Sequence, residues 1–344
     1  DAEAESYLDM VEATYDFELI VAGANIDVDV DPSGQLIHVT GLTNILTDGN
    51  LEVQTNGDID LTETEGDMRV ERITSTAGHV TLTAQPHIID VFGDAEADVT
   101  GNNITLTTQS GMIGSRFNDL EIDMSYSAAG LLSANASEHI YITEVQGSLD
   151  VQHAISSAVG HIRLTVAESS SLGEDLLVRL GNLVRAAQGS ITLQAGDNIT
   201  VEGIVTASEA IFLHGDFRNA DADLGTTILL SGSLAASSVE ITGDLDDDIV
   251  DASTLTMALT VFGFAGDDWL ATGSGADMIY GGPGADSLLG GSGDDLLVAD
   301  AGVGDWLVGG PGNDRIYGSD DGSETDDDFD DSVRFGDVID GGEG

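Results

Sequence analysis

The chain has 344 residues, a formal charge of −54, no cysteine, and nine basic residues that are all arginine. So acidic a surface repels nucleic acid and anionic membrane and leaves cations as its natural small partners, while the missing thiols exclude disulfide cross-links. No apolar run is long enough to span a bilayer, so neither nucleic-acid binding nor membrane insertion is expected.

Residues 1–240 read as many short strands of Val, Ile, Leu and Thr separated by Gly, Asn, Asp and Ser. The stretch 174–187, EDLLVRLGNLVRAA, has apolar spacing that suits either helix or strand, and its surroundings favour strand. An internal repeat sets the architecture. Residues 57–84 (GDIDLTETEGDMRVERITSTAGHVTLTA) return at 138–166, so that Ile59 matches Ile140, Glu63 matches Glu144, Gly66 matches Gly147 and Gly78 matches Gly160. Within one period of about 81 residues, units such as GDIDL, GHVTL and NNITL recur, each a strand with alternating side chains and a glycine or asparagine corner. The expected fold class is all-β: a right-handed parallel β-helix, with four coils of about 20 residues per repeat and in-register Thr and Asn ladders on its faces. Twelve such coils would stack to about 58 Å. The segments NNITLTTQSGMIGSRFNDLEID (102–123) and GSITLQAGDNITVEG (189–203) resemble the filamentous-haemagglutinin-like β-helices of large bacterial surface proteins.

A loop at 214–225 places Asp216, Asn219, Asp221 and Asp223 at short spacing and is either a solvated turn or a calcium site outside the roll. From 241 the pattern changes. A degenerate nonapeptide surrounds Asp247, with Asp244 and Asp246 as further candidates for a first ion, and the insertion DASTLTMALTVF follows. Nothing at this junction is rich enough in Pro or Ser to be a linker, so the solenoid is expected to run on as one stack.

Six nonapeptides then read GFAGDDWLA, TGSGADMIY, GGPGADSLL, GGSGDDLLV, ADAGVGDWLV (one residue longer) and GGPGNDRIY. Glycines at position four (Gly266, Gly275, Gly284, Gly293, Gly302 and Gly312) let the backbone turn its carbonyls inward. Aspartates at position six (Asp268, Asp277, Asp286, Asp295, Asp305 and Asp314) add hard anionic oxygens, the donor type that calcium takes. The aliphatic at position eight (Leu270, Ile279, Leu288, Leu297, Leu307, Ile316) points to the core. If one nonapeptide makes half a coil, same-side neighbours are two copies apart: Asp268 with Asp286, Asp286 with Asp305, Asp277 with Asp295, Asp295 with Asp314. Several calcium ions in two parallel files are expected between them. After an acidic loop at 319–332, which is either a solvated excursion or a local calcium site, the pattern resumes with Asp337 at the aspartate position.

This pattern over 241–344 resembles the RTX (repeats-in-toxin) calcium-binding nonapeptide family. The resemblance implies a calcium-bound parallel β-roll, an extracellular or cell-surface location in bacteria, and export in one step by a type I system. The first residues, DAEAESYLDM, carry neither an initiator methionine nor a signal peptide, and GDVIDGGEG breaks off inside another nonapeptide, which reads as a piece of something longer.

A β-helix followed by such repeats also resembles secreted alginate epimerases and some polysaccharide lyases, whose substrates are polyuronates. The chain offers no lysine, scattered arginines and no Asp-Pro-His cluster, so it is not expected to be an enzyme. His79 and His161, at matching repeat positions, read as solvent-facing. Two functions remain: a calcium-stiffened structural segment of a secreted surface protein (adhesin stalk, extracellular filament or surface-layer component) that associates end to end, or a polysaccharide-binding or polysaccharide-modifying module with a glycan or cell-surface ligand. Trp269 and Trp306, both at position seven and expected to point outward, are either a contact surface or packing for a neighbouring segment.

Overall fold

A computed structural model describes residues 14–23, 26–29, 36–45, 49–125, 130–169, 173–218, 224–300, 304–318 and 338–340. Among these residues every regular element is a strand, the ladders between strands are parallel, and the whole is a β-solenoid of about 12 turns. No helix is long and apolar enough to cross a membrane.

Two sheets run the length of the first half. The first contains Leu36–Ile45, Ile59–Glu63, Val80–Ala84, Ile104–Thr108 and Leu132–Ala136, and the second contains Leu51–Thr55, Met68–Ser75, Leu120–Asp123, Ile140–Glu144 and Ile162–Val166. Alternation decides which side chains are inside. Ile59, Leu61, Val80, Leu82, Ile104 and Leu106 stack inward with essentially no exposure, each worth about 1.5–3 kcal/mol of burial. Thr62, Thr83, Thr107 and Asn135 stack outward in the same register, which is the expected polar ladder.

Coil length is not uniform. It runs from 18 residues between Leu270 and Leu288 to 30 between Ala154 and Val184. The internal repeat is corrected by the same pairings, for Ile59 lies in the first sheet and Ile140 in the second. The two copies are thus related by an odd number of half-turns rather than by four whole coils. The two half-turns are interchangeable because both are the same object, an alternating strand ended by a buried glutamate. The Glu63 carboxylate accepts from Thr43 Oγ1 (2.8 Å) and Glu65 N–H (3.2 Å); that of Glu144 accepts from Met124 N–H (3.1 Å). Burial pushes the Glu144 carboxyl well above the usual carboxylate range.

The corners carry a second device. Residues just before an inward aliphatic use a side-chain acceptor to bind the backbone N–H of the next coil: His38 Nδ1 takes Asp58 N–H (3.0 Å), Asp58 Oδ1 takes His79 N–H (2.8 Å), His139 Nδ1 takes His161 N–H (2.9 Å) and His161 Nδ1 takes Ser190 N–H (3.0 Å). His161 is therefore a coil-to-coil clasp as well as a partly solvated repeat residue. A Cβ on Gly78 would lie 2.5 Å from Asp58 N, so only glycine lets successive corners approach this closely.

From Leu176 each coil has three strands. The stretch 174–187 resolves into Leu176–Val178 and Leu183–Ala186, which pair into different sheets across a turn where Gly181 has φ +92°. The first sheet stops at Ser233–Ala235. The second and third sheets continue without interruption through Ser238–Thr242, Thr260–Phe262 and Met278–Tyr280, and through Thr227–Leu230, Ile249–Asp251 and Trp269–Ala271. Where the lost strand would lie, the insertion tucks Ala252, Leu255 and Leu259 into the core. The three-sided helix thereby becomes a two-sided roll.

Candidate metal centre

Each regular nonapeptide gives one three-residue strand: Trp269–Ala271, Met278–Tyr280, Ser287–Leu289, Leu296–Val298, Trp306–Val308 and Arg315–Tyr317. The middle residue of each is buried, from Leu270 to Ile316. Pairing runs between alternate copies, 269–271 with 287–289 with 306–308 and 278–280 with 296–298 with 315–317. Position-six aspartates consequently form two columns, one on each side of the roll.

Within a column the two carboxylate oxygens have different tasks. Oδ1 accepts the backbone N–H of the aspartate one coil earlier: Asp286 from Asp268 (3.0 Å), Asp305 from Asp286 (3.0 Å), Asp295 from Asp277 (2.8 Å) and Asp314 from Asp295 (3.0 Å). Oδ2 of Asp268, Asp286, Asp295 and Asp314 is buried and accepts no hydrogen bond. Leaving a buried carboxylate oxygen unsatisfied costs about 1–3 kcal/mol or more, and here the arrangement recurs in register.

Those oxygens face cradles that only glycine leaves open. A Cβ on Gly263 would lie 2.0 Å from Asp268 Oδ2 and 2.8 Å from the Gly281 carbonyl, and one on Gly290 would lie 2.5 Å from Asp295 Oδ2 and 2.8 Å from the Gly309 carbonyl. Carboxylate and carbonyl oxygens converging on one spot are the donor set of a hard divalent cation such as calcium. The residues present fit that ion. The position-one glycines were missed by sequence reasoning, which dwelt on position four; the GG doublet that opens three of the copies was the available signal.

The position-four glycines pack along the axis. Gly284 approaches the Gly266 carbonyl and Gly293 the Gly275 carbonyl so closely that a Cβ would lie 1.8 and 1.6 Å from the oxygens, and Gly312 stacks on Gly293 in the same way. Gly302 and Asp337, and the acidic loop 319–332, lie outside the described residues.

At the start of the roll the register differs from expectation. Asp248, not Asp247, stands at position six: it is buried, its Oδ1 accepts Thr226 N–H (2.7 Å), and its own N–H donates to Asp268 Oδ1 (2.9 Å). Asp247 is exposed at position five, where its Oδ1 accepts Asp267 N–H (2.7 Å) in an outer ladder continued by Asp267 to Ala285 (2.9 Å). A degenerate copy shows three consecutive aspartates, and only the inward turn of the next strand tells which is sixth. Asp216 comes within ligand reach of Asp244 and Asp246; Asn219, Asp221 and Asp223 lie outside the described residues. A second carboxylate group that the sequence did not suggest, Asp90, Asp98 and Glu121, gathers in the β-helix.

Burial pushes the Asp268 and Asp286 carboxyls up to about 7 and that of Asp295 to about 6, with the next aspartate of the column adding to each; Asp277 is raised by burial too. These are groups that resist holding a charge without a counter-charge beside them.

Compared with known proteins, residues 262–297 and 301–321 match the RTX calcium-binding nonapeptide repeat, in four copies. No curated protein and no solved structure matches the chain. The roll thus consists of RTX calcium-binding repeats, preceded by a β-solenoid, and the two together fit a calcium-binding structural segment of a bacterial protein.

Proposed function

We propose that this chain is a calcium-stiffened structural segment of a secreted bacterial surface protein, serving as a stalk, fibre or surface-layer element. The observation that carries the reading is the pair of aspartate columns, each with one oxygen built into the backbone ladder and the other dry and facing a glycine cradle. Calcium between coils would convert mutual repulsion into cross-links. In low calcium the roll would stay open for export by a type I route, and outside the cell it would close. Ion number, extracellular location and export route belong to this proposal.

The same reading makes the chain a non-enzyme. Three of its nine arginines are held singly by carboxylates, Arg72 by Glu52, Arg163 by Asp119 and Arg179 by Asp150, rather than together in a cleft where a polyuronate would need them.

Hydrogen exchange on the whole chain tests the proposal. Amides of the roll strands at Leu270, Leu288 and Leu307 are expected to be protected in millimolar calcium and to exchange freely in chelator, while those at Leu61, Ile142 and Leu164 stay protected in both. Equal protection of the roll in chelator would overturn it.

A further inference from the structure

The third sheet of the roll carries a feature that the ion columns do not use. At position nine Ala271, Leu289 and Val308 align through strand pairing and floor an open groove of about 500 Å³. Ser274 and Ser292, exposed on the intervening turns, line it as well, together with Thr254 of the insertion and Trp269. None of the lining residues is charged, although 21% of the chain is. Trp306 lies in the Trp269 column with Ser287 between them, and both indoles are exposed, by 37% and 56%. Two rungs separate them, about 10 Å along the axis.

We propose that this groove binds a neutral β-1,4-linked oligosaccharide lying along the solenoid axis. Sugar rings present a C–H face that stacks on indole and lies on an aliphatic floor, and their edges present hydroxyls that pair with Ser and Thr hydroxyls. The two-rung spacing of the tryptophans matches the repeat of an extended β-1,4-linked chain, in which alternate rings show the same face. Charge selects the class: a lining without cations, on a chain of −54, turns away polyanionic glycans. A peptide fits less well, because the strands flooring the groove already pair on both sides and offer no edge for strand addition.

The test uses the whole chain in millimolar calcium, with circular dichroism confirming a folded roll. Cellohexaose and chitohexaose are titrated calorimetrically and by tryptophan fluorescence, with maltohexaose as the linkage control and hexagalacturonate as the charge control. At least one β-1,4-linked probe should bind saturably. Trp269→Ala should weaken it tenfold or more, and Trp306→Ala should weaken cellohexaose or chitohexaose but not cellobiose or chitobiose, titrated alongside. Binding by neither β-linked probe, equal binding of maltohexaose, tighter binding of hexagalacturonate, or full affinity in a folded Trp269→Ala variant would overturn the assignment.

Discussion

Asp286 shows how much one side chain does in the roll. Its Oδ1 holds the Asp268 amide while its Oδ2 meets no protein donor. Asp286→Asn keeps the acceptor and removes the charge, so its effect should change sign with calcium. In calcium the variant loses an anionic donor and should unfold more easily by about 1–3 kcal/mol. In chelator at pH 8 it should be more stable than the parent. The folded carboxyl is raised from 3.8 to about 7, so the stability of its protonated form is complete below 3.8 and lost as pH rises through about 7; asparagine carries no such loss. Melting followed by tryptophan fluorescence, with and without calcium, checks both signs. In the β-helix, His139 is the corresponding residue. Burial and the neighbouring His161 lower its pKa from 6.5, and its Nδ1 must stay unprotonated to accept the His161 amide. The folded state therefore disfavours the proton, and stability held above pH 6.5 is lost as pH falls below it. His139→Asn should flatten that dependence between pH 7.5 and 5, because Asn103 Oδ1 already takes the Leu131 amide (2.9 Å) in the same manner. Urea midpoints at the two pH values decide it, and an unchanged slope would show that the clasp is not the titrating element. The aspartate columns were legible in the sequence because one residue type recurs at a fixed interval. The histidine clasp was not, since His, Asp and Asn interchange there and share only an acceptor atom.

At the scale of elements, alternation and corner residues gave the strands but not how they group into faces. The stretch 174–187 contains two strands because Gly181 permits a turn that sends its halves into separate sheets. The repeat, by contrast, is plain as text yet misleading as geometry: Ile59 and Ile140 occupy equivalent half-turns on opposite sides of the core. Matching letters report matching environments, and the two faces of a solenoid offer the same environment. The insertion at the junction is where an element is lost rather than added. Leu255 and Leu259 take the place of a strand, and the Leu259 amide donates to Asp277 Oδ1 (2.8 Å), so the residue that ends one architecture seats the first aspartate of the second column.

For the molecule as a whole, the −54 charge and the parallel ladders act in opposite directions. On the proposed reading, charge would keep copies apart until calcium neutralises it, and the backbone groups at the end of a parallel stack would then pair with another copy. End-to-end association should therefore require calcium and rise with protein concentration in small-angle scattering, and a monodisperse single copy at millimolar calcium would count against it. The sequence by itself determined that the chain is all-β, that its tail repeats every nine residues and that aspartate, glycine and aliphatic residues take fixed places there, because periodicity is written residue by residue along the chain. Only the tertiary structure decided that Asp248 rather than Asp247 is sixth in its copy, that the repeat falls on opposite faces, and that Trp269, with Trp306 in its column, stands beside an uncharged groove. Those depend on which coil lies beside which, and stacking joins residues 18 to 30 positions apart whose spacing shifts with every loop.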